Sequence, residues 1–94
     1  MEDEVQAVSA SSPISLALQA QLEILKERDD QRLEFPEAED DALTPAEWIA
    51  RIVKHLGRAV TLDRRQYRRT LVVVGALALA AIESYDRRYG AHPQ

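Results

Sequence analysis

Residues 71–82, LVVVGALALAAI, form the most apolar stretch of the chain and decide how it folds. The stretch contains no charged side chain, and its four alanines favour a helix over a strand. Its twelve residues are too few to cross a bilayer, since a membrane-spanning helix needs about 20 residues. We therefore predict a buried core helix and no membrane association.

The helix around this stretch is predicted to run from about residue 64 to residue 88, with Asp63 or Thr61 as N-cap and Gly90 as C-cap. Its middle is apolar nearly all round, so that neighbouring helices have to cover most of its sides. Five small residues permit close helix contacts: Gly75, Ala76, Ala78, Ala80 and Ala81. Because three helices of one short chain barely provide this cover, we predict a homo-oligomer, either a dimer or a tetramer.

A first helix is predicted from Pro13 to about residue 31, with Ser12 as its cap and the proline at its first position. Its apolar residues recur at intervals of three or four, which is helical spacing. The stripe consists of Ile14, Leu18, Leu22 and Leu25.

A second helix is predicted to begin with the capping box that Thr44 and Glu47 form around Pro45. Gly57 lies inside this helix, where glycine costs about 1 kcal/mol relative to alanine, and we expect it to let another helix approach closely. The apolar side chains predicted to face the core are Trp48, Ile49, Ile52, Val53, Leu56 and Val60.

Residues 33–43 between these helices are predicted to form a loop, because Pro36 favours an extended backbone at Phe35. Four acidic residues in the segment are expected to stay in solvent: Glu37, Glu39, Asp40 and Asp41.

Together these segments form one predicted all-α domain at residues 12–90, a bundle of about three helices that is completed by oligomerisation. Residues 1–11 are predicted to be a flexible acidic tail and residues 91–94 a disordered C-terminal tail. The acidic start MEDEVQAV does not resemble a secretory signal, and the chain has no cysteine for disulfides or redox chemistry. Both features favour a cytoplasmic protein.

Charge is divided unevenly along the chain. Residues 1–47 carry 13 acidic and 3 basic side chains, whereas residues 48–94 carry 3 acidic and 9 basic ones. We expect the arginines of the third helix to pair with an acidic loop of a neighbouring chain or with three acids of the first helix, Glu23, Glu27 and Asp30. The alternative is a basic surface for an anionic partner.

Three segments in this order resemble the short MazG-like proteins, all-α nucleotide pyrophosphohydrolases common in phages and bacteria. They are LKERDDQRLEF (25–35), TPAEWIARIVKHLGRAV (44–60) and YRRTLVVVGALALAAIESYDRR (67–88). The resemblance covers about residues 22–88. It implies a helical oligomer and, if the activity is retained, Mg²⁺-dependent hydrolysis of a nucleoside triphosphate.

The metal-binding motifs of that family are replaced in this chain. Members carry Glu-Glu-x-x-Glu on the second helix and Glu-x-x-Asp at the start of the third, because Mg²⁺ takes hard oxygen ligands. The matching residues here are Lys54, His55, Arg58, Thr70 and Val73. None of them is a carboxylate, so the resemblance implies a scaffold without catalytic residues, metal ligands or a cofactor.

The basic side chains supply the candidate site. We expect a cluster to converge where the family holds its metal and triphosphate, and to bind an anion or nucleotide without metal. The cluster consists of Lys54, Arg58, Arg65, Arg68 and Arg69. The nearby acids Glu47, Asp63 and Glu83 are expected to have structural roles, and His55 is interpreted as a helix histidine rather than a metal ligand.

The function predicted from the sequence is that of a catalytically degenerate MazG-like protein, an oligomeric binding or interaction protein and a candidate phage or prophage accessory factor. Its partner is predicted to be a protein or a nucleotide. Two alternatives stay open. One is a pyrophosphohydrolase with a rearranged site, for which Mg²⁺ would be the cofactor. The other is a nucleic-acid-binding protein using the arginine face, which a pI near 5.1 and the lack of a reader motif disfavour.

Overall fold

The structure is a computed structural model that describes residues 12–60 and 63–90. These ranges contain helices and no strand, so the predicted all-α class is confirmed. The predicted tails at 1–11 and 91–94 lie outside the described residues, as does Thr61. The helices are α1 (Pro13–Glu34), α2 (Glu37–Asp41), α3 (Pro45–Ala59) and α4 (Arg64–Tyr89).

Helix α4 is the centre of the bundle. The other three helices each pack against it, and no comparable packing joins α1 to α3. The apolar core lies between α3 and α4, where Trp48, Leu77 and Ala80 are buried together. On the α1 side, a Cβ atom added to Gly75 would lie 2.9 Å from Cδ1 of Ile24, so that this glycine permits the close approach expected of it.

The predicted helix starts are confirmed by side-chain caps. Ser12 Oγ accepts the Ser15 N–H at 3.1 Å, and Asp63 Oδ1 accepts the Gln66 N–H at 2.9 Å. Thr44 and Glu47 form the reciprocal capping box that their spacing predicts. At the end of α4, Gly90 has the expected positive φ of 89°, with an extended ψ of 147°.

The predicted loop at 33–43 is wrong in two respects. Helix α1 continues to Glu34, and the acidic run itself forms the short helix α2. Its carboxylates are not all in solvent either, because Asp40 is only 3% exposed. The cause is tertiary, since buried Arg28 on α1 provides a positive partner for Asp40.

The prediction that six apolar side chains of α3 face the core is also wrong for most of them. Within one chain only Trp48 is buried and Ile52 half-buried. The other four apolar side chains are exposed: Ile49, Val53, Leu56 and Val60. The α1 stripe is exposed as well, at Ile14, Leu18, Leu22 and Leu25. Among the residues that the structure describes, no atom of another helix lies within 4 Å of a Cβ built on Gly57, so the close approach expected there does not occur between them.

Candidate functional site

A cleft of about 460 Å³ opens between α1 and α3, with α4 as its floor. It exists because both helices pack on α4 without packing extensively on each other. Val73 and Leu77 line the floor. The walls carry mostly charged and polar side chains, so that an anionic or mixed-charge ligand fits the cleft better than an apolar one.

The α3 wall of the cleft is basic. Arg51, Lys54 and Arg58 follow one another at intervals of three and four, which brings them to one face of the helix, and His55 lines the cleft with them. Lys54, His55, Arg58 and Val73 are four of the five residues that the resemblance to MazG-like proteins matches to metal-binding carboxylates. They lie together here, whereas half-buried Thr70 is not among the lining residues.

The α1 wall contains residues that sequence reasoning missed. Glu27, Gln31, Glu34 and Phe35 line it. Gln31 is 8% exposed, and its shielded Oε1 accepts no hydrogen bond from the described residues. Such a buried amide oxygen is unusual, because nearly all buried polar groups are hydrogen-bonded. Gln31 lies at the predicted end of the first helix, but the sequence does not show that it faces α3 across a cleft.

Phe35 and the α3 wall are connected by Arg51. The Arg51 guanidinium carbon lies 5.6 Å from the centre of the Phe35 ring and 5.5 Å from that of Trp48. Cation–π contacts of this kind hold a guanidinium against aromatic faces. The half-exposed Phe35 ring therefore forms an aromatic edge at the cleft beside a positive charge.

The other arginines of the candidate cluster lie elsewhere. Arg68 donates from both Nη atoms to the two carboxylate oxygens of Glu23, each at 2.7 Å, and Arg69 pairs with Glu27. These are two of the inter-helix pairs expected from the charge division, and the hydrogen bonds from Arg68 lower the pKa of Glu23. Arg65 is exposed on the first turn of α4.

Asp30, the third acid expected to pair with these arginines, instead pairs with Lys26 one turn away on its own helix. The structure thus brings only Lys54 and Arg58 of the five candidate residues to the cleft.

A buried ion network lies behind the α1 wall and was not predicted. Arg28 is 1% exposed, with Nη2 at 3.0 Å from Glu83 Oε1 and 3.5 Å from Asp40 Oδ2. Arg32 Nη2 donates to both oxygens of Glu83 at 3.1 and 3.0 Å. Burial raises the pKa of Asp40, and the charge of Arg28 opposes that rise. Glu83 therefore has the structural role expected of it.

Helix α2 is held on α4 by a second polar group. Ser84 Oγ and Arg87 Nη2 donate to Asp41 Oδ1 at 2.7 and 2.8 Å, and Arg87 also pairs with Glu37. The hydrogen bonds from Arg87 and Ser84 lower the pKa of Asp41. Asp41 is thus a structural ion-pair partner rather than a fully solvated acid, whereas the side chain of Glu37 stays 61% exposed, as expected.

In residues 12–60 and 63–90, no group of three or more His, Cys, Asp or Glu side chains is arranged to hold a metal ion. No helix in those ranges combines the length and apolarity that crossing a membrane requires. In the comparisons with known proteins, no family model, curated protein or solved structure matches the chain.

Proposed function

We propose that this chain is an oligomeric binding protein whose cleft binds a phosphate-bearing small molecule without a divalent metal. A nucleotide is the ligand that we propose. The observation that carries the proposal is the wall of α3, where Arg51, Lys54, His55 and Arg58 line one cleft. Guanidinium and ammonium groups form charge-assisted hydrogen bonds with phosphate oxygens, and their own charge opposes the entry of a Mg²⁺ ion.

The other residues that line the cleft are also compatible with nucleotide binding. Phe35 and the Arg51 guanidinium offer flat surfaces on which a base can stack, and Lys54 and Arg58 offer charges for its phosphates. The pairing of Glu27 with Arg69 offsets one of the two acidic charges on the α1 wall. The cleft thus combines an aromatic edge with a net positive wall.

The proposal includes a MazG-like scaffold whose metal chemistry has been lost, a cytoplasmic location and an accessory role in a phage or prophage. These parts rest on the resemblance and on the lack of cysteine. The homo-oligomer is supported by the exposed apolar side chains of α1 and α3, since soluble monomers rarely expose large contiguous apolar patches. A protein partner is the alternative ligand for those surfaces.

The nucleic-acid alternative loses part of its support in this arrangement. Arg68 and Arg69 direct their charges at Glu23 and Glu27, so a continuous basic face along α4 is not available to a phosphate backbone. The pyrophosphohydrolase alternative is tested by measuring pyrophosphate release from nucleoside triphosphates with Mg²⁺.

Isothermal titration with ATP, GTP and inorganic triphosphate, each in EDTA and in Mg²⁺, tests the proposal. We expect binding in EDTA by the wild-type chain and a loss of at least tenfold in the Lys54→Glu/Arg58→Glu variant. The matched control is Arg64→Glu/Arg65→Glu, which reverses two exposed charges outside the cleft and should bind as the wild type does. Circular dichroism should show both variants folded.

Three results would contradict the proposal. They are the absence of binding by every probe, binding only in Mg²⁺, and equal affinity in the wild type and the cleft variant. Pyrophosphate release that a chelator abolishes would establish the enzyme instead.

A further inference from the structure

Helix α4 presents an apolar face that the described residues of the chain cover only in part. Its members, which we name the α4 stripe, follow one another at intervals of three or four and thus share one side of the helix. They are Tyr67, Leu71, Val74, Ala78, Ile82, Tyr85 and Tyr89. Ile82 and Tyr85 are 58% and 60% exposed, and Val74 and Ala78 are half-buried.

The α4 stripe is continuous with exposed apolar residues on both neighbouring helices. Ile82 and Ala78 line a groove of about 370 Å³ with Leu25 of α1, and Tyr85 and Tyr89 line another of about 210 Å³ that includes Ile49 of α3. The cleft lies on another face of α4, because its floor consists of Val73 and Leu77. A partner on the α4 stripe therefore leaves the cleft open.

The spacing of the α4 stripe is symmetric about Ala78. Going towards the C-terminus the intervals are 4, 3 and 4 residues, and going towards the N-terminus they are again 4, 3 and 4. The same stripe therefore fits itself when a second α4 runs antiparallel. That is the property of an isologous two-fold interface, in which one patch meets its own copy.

We propose that a second copy of this chain covers the α4 stripe, with the two α4 helices antiparallel and the two-fold axis beside Ala78 of both copies. Ala78 then meets Ala78 of the partner subunit at the crossing, where its small side chain permits a close approach of the helices. Each larger side chain of one copy then lies opposite a different position of the second copy. Tyr67 lies opposite position 89, Leu71 opposite position 85, and Val74 opposite position 82.

A second copy fits this surface better than an unrelated partner because the stripe is both self-complementary and uncharged. No charged residue occurs in residues 71–82, so self-pairing there brings no like charges together. The three exposed tyrosines alone offer roughly 300 Å² for burial. Together with the flanking side chains of α1 and α3, the patch approaches the roughly 800 Å² per partner of a stable interface.

This inference specifies the oligomer of the proposed function and is independent of what the cleft binds. Failure of the nucleotide titration would leave the dimer intact, and a monomeric chain could still bind a nucleotide in EDTA. The two proposals can therefore fail separately.

Cysteine cross-linking tests the geometry directly, because the chain has no cysteine of its own. We expect Ala78→Cys to form a disulfide-linked dimer under mild oxidation, since the two positions meet at the axis. Leu71→Cys alone and Tyr85→Cys alone should not cross-link, because 14 residues of helix, or about 21 Å, separate each from its own copy. An equimolar mixture of those two variants should form the heterodimer.

The control variant is Ala50→Cys, at an exposed position of α3 outside the α4 stripe, which should stay uncross-linked. Ile82→Glu should keep its helix content, because the side chain is already exposed in one chain, and should sediment as a monomer. Self-cross-linking of Leu71→Cys would show a parallel pairing and overturn the proposal. A monomeric wild type, a failure of Ala78→Cys to cross-link, or a dimer that Ile82→Glu leaves unchanged would overturn it as well.

Discussion

Arg28 of α1 donates from Nε to Oε1 of Glu83 on α4 at 3.0 Å, although the arginine side chain is only 1% exposed. The same guanidinium faces Asp40 of α2, so one buried cation joins three helices. Removing one member of a buried ion group costs more than the group contributes in total, because the remaining charges stay buried without compensation. This asymmetry makes the fold sensitive to the loss of Arg28.

The variant Arg28→Met is predicted to lower the free energy of unfolding by about 3 kcal/mol, because Asp40 loses its buried cation, whereas Glu83 keeps its ion pair with Arg32. Urea unfolding followed by circular dichroism measures the change. Adding Asp40→Asn to the variant should recover part of the loss by removing one uncompensated charge. Lys26→Met is the control, since the exposed pair of Lys26 with Asp30 contributes little. Equal stability of the two single variants would contradict the role of the network.

The sequence contained enough information for the long helices and their caps but not for α2. Ser12, Thr44 and Asp63 are local signals, and each caps the helix that its position predicted. The acidic run 37–41 has no such signal. Asp40 becomes buried because of Arg28 and Asp41 pairs with Arg87, and neither contact can be seen in the local sequence.

The candidate site was predicted on one side only. Lys54, His55 and Arg58 line the cleft together, as their positions on one helix allowed. Gln31 and Phe35 on the opposite wall are not predicted, because the local sequence does not show that the end of α1 and the residue after it face α3 across the cleft. The sequence allows Arg68 and Arg69 to join either the site or the acids of α1. In the structure they pair with the acids, since Glu23 and Glu27 lie on the adjacent helix α1.

Stability is predicted to fall as the pH is lowered from about 5 to 3. The pKa values of Glu23, Asp41 and Glu47 are lowered in the folded chain by hydrogen bonds from Arg68, Arg87 and Thr44 respectively. Their contributions are complete above the ordinary values of 4.5 for Glu and 3.8 for Asp, and disappear as the pH falls through the folded values. Asp40 acts in the opposite sense, because burial raises its pKa.

Thermal melts at half-unit pH steps measure this dependence. Glu23→Gln should flatten the fall in Tm between pH 5 and 3, because one of the three groups no longer titrates. Glu39→Gln, which changes an exposed side chain of α2, should leave the slope as it is. A Tm that rises on acidification would mean that Asp40 outweighs the other three groups.

Loss of the α3 cap has a predictable cost. Thr44 Oγ1 accepts the Glu47 N–H at 3.1 Å, and Glu47 Oε1 accepts the Thr44 N–H at 2.8 Å. Thr44→Ala removes the first of these bonds and should destabilise the fold by about 1 kcal/mol. Thr44→Ser keeps the hydroxyl and should stay close to the wild type in urea unfolding. Equal losses in both variants would assign the effect to the methyl group rather than to the cap.

Alanine substitutions at Gly57 and Gly75 are predicted to change stability differently, although both glycines lie inside helices. Gly57→Ala should stabilise the fold by about 1 kcal/mol, because alanine is the better helix former and open space surrounds the new methyl group. In a domain of this size that gain corresponds to a Tm increase of about 4–8 °C. Gly75→Ala has the same intrinsic gain, but its Cβ would lie 2.9 Å from Ile24 Cδ1 and has to displace that side chain.

We therefore expect Gly75→Ala to have a clearly lower Tm than Gly57→Ala. Adding Ile24→Val to Gly75→Ala should narrow this difference in Tm, since the truncation removes the Cδ1 atom that the new methyl group meets. Differential scanning calorimetry at equal protein concentration measures the Tm of Gly57→Ala, of Gly75→Ala and of Gly75→Ala combined with Ile24→Val. A Tm decrease in Gly57→Ala would indicate that another helix packs at Gly57 in the assembled protein, because the described residues of one chain place nothing within 4 Å of its built Cβ. In that case the α3 face would belong to a subunit interface together with the α4 stripe.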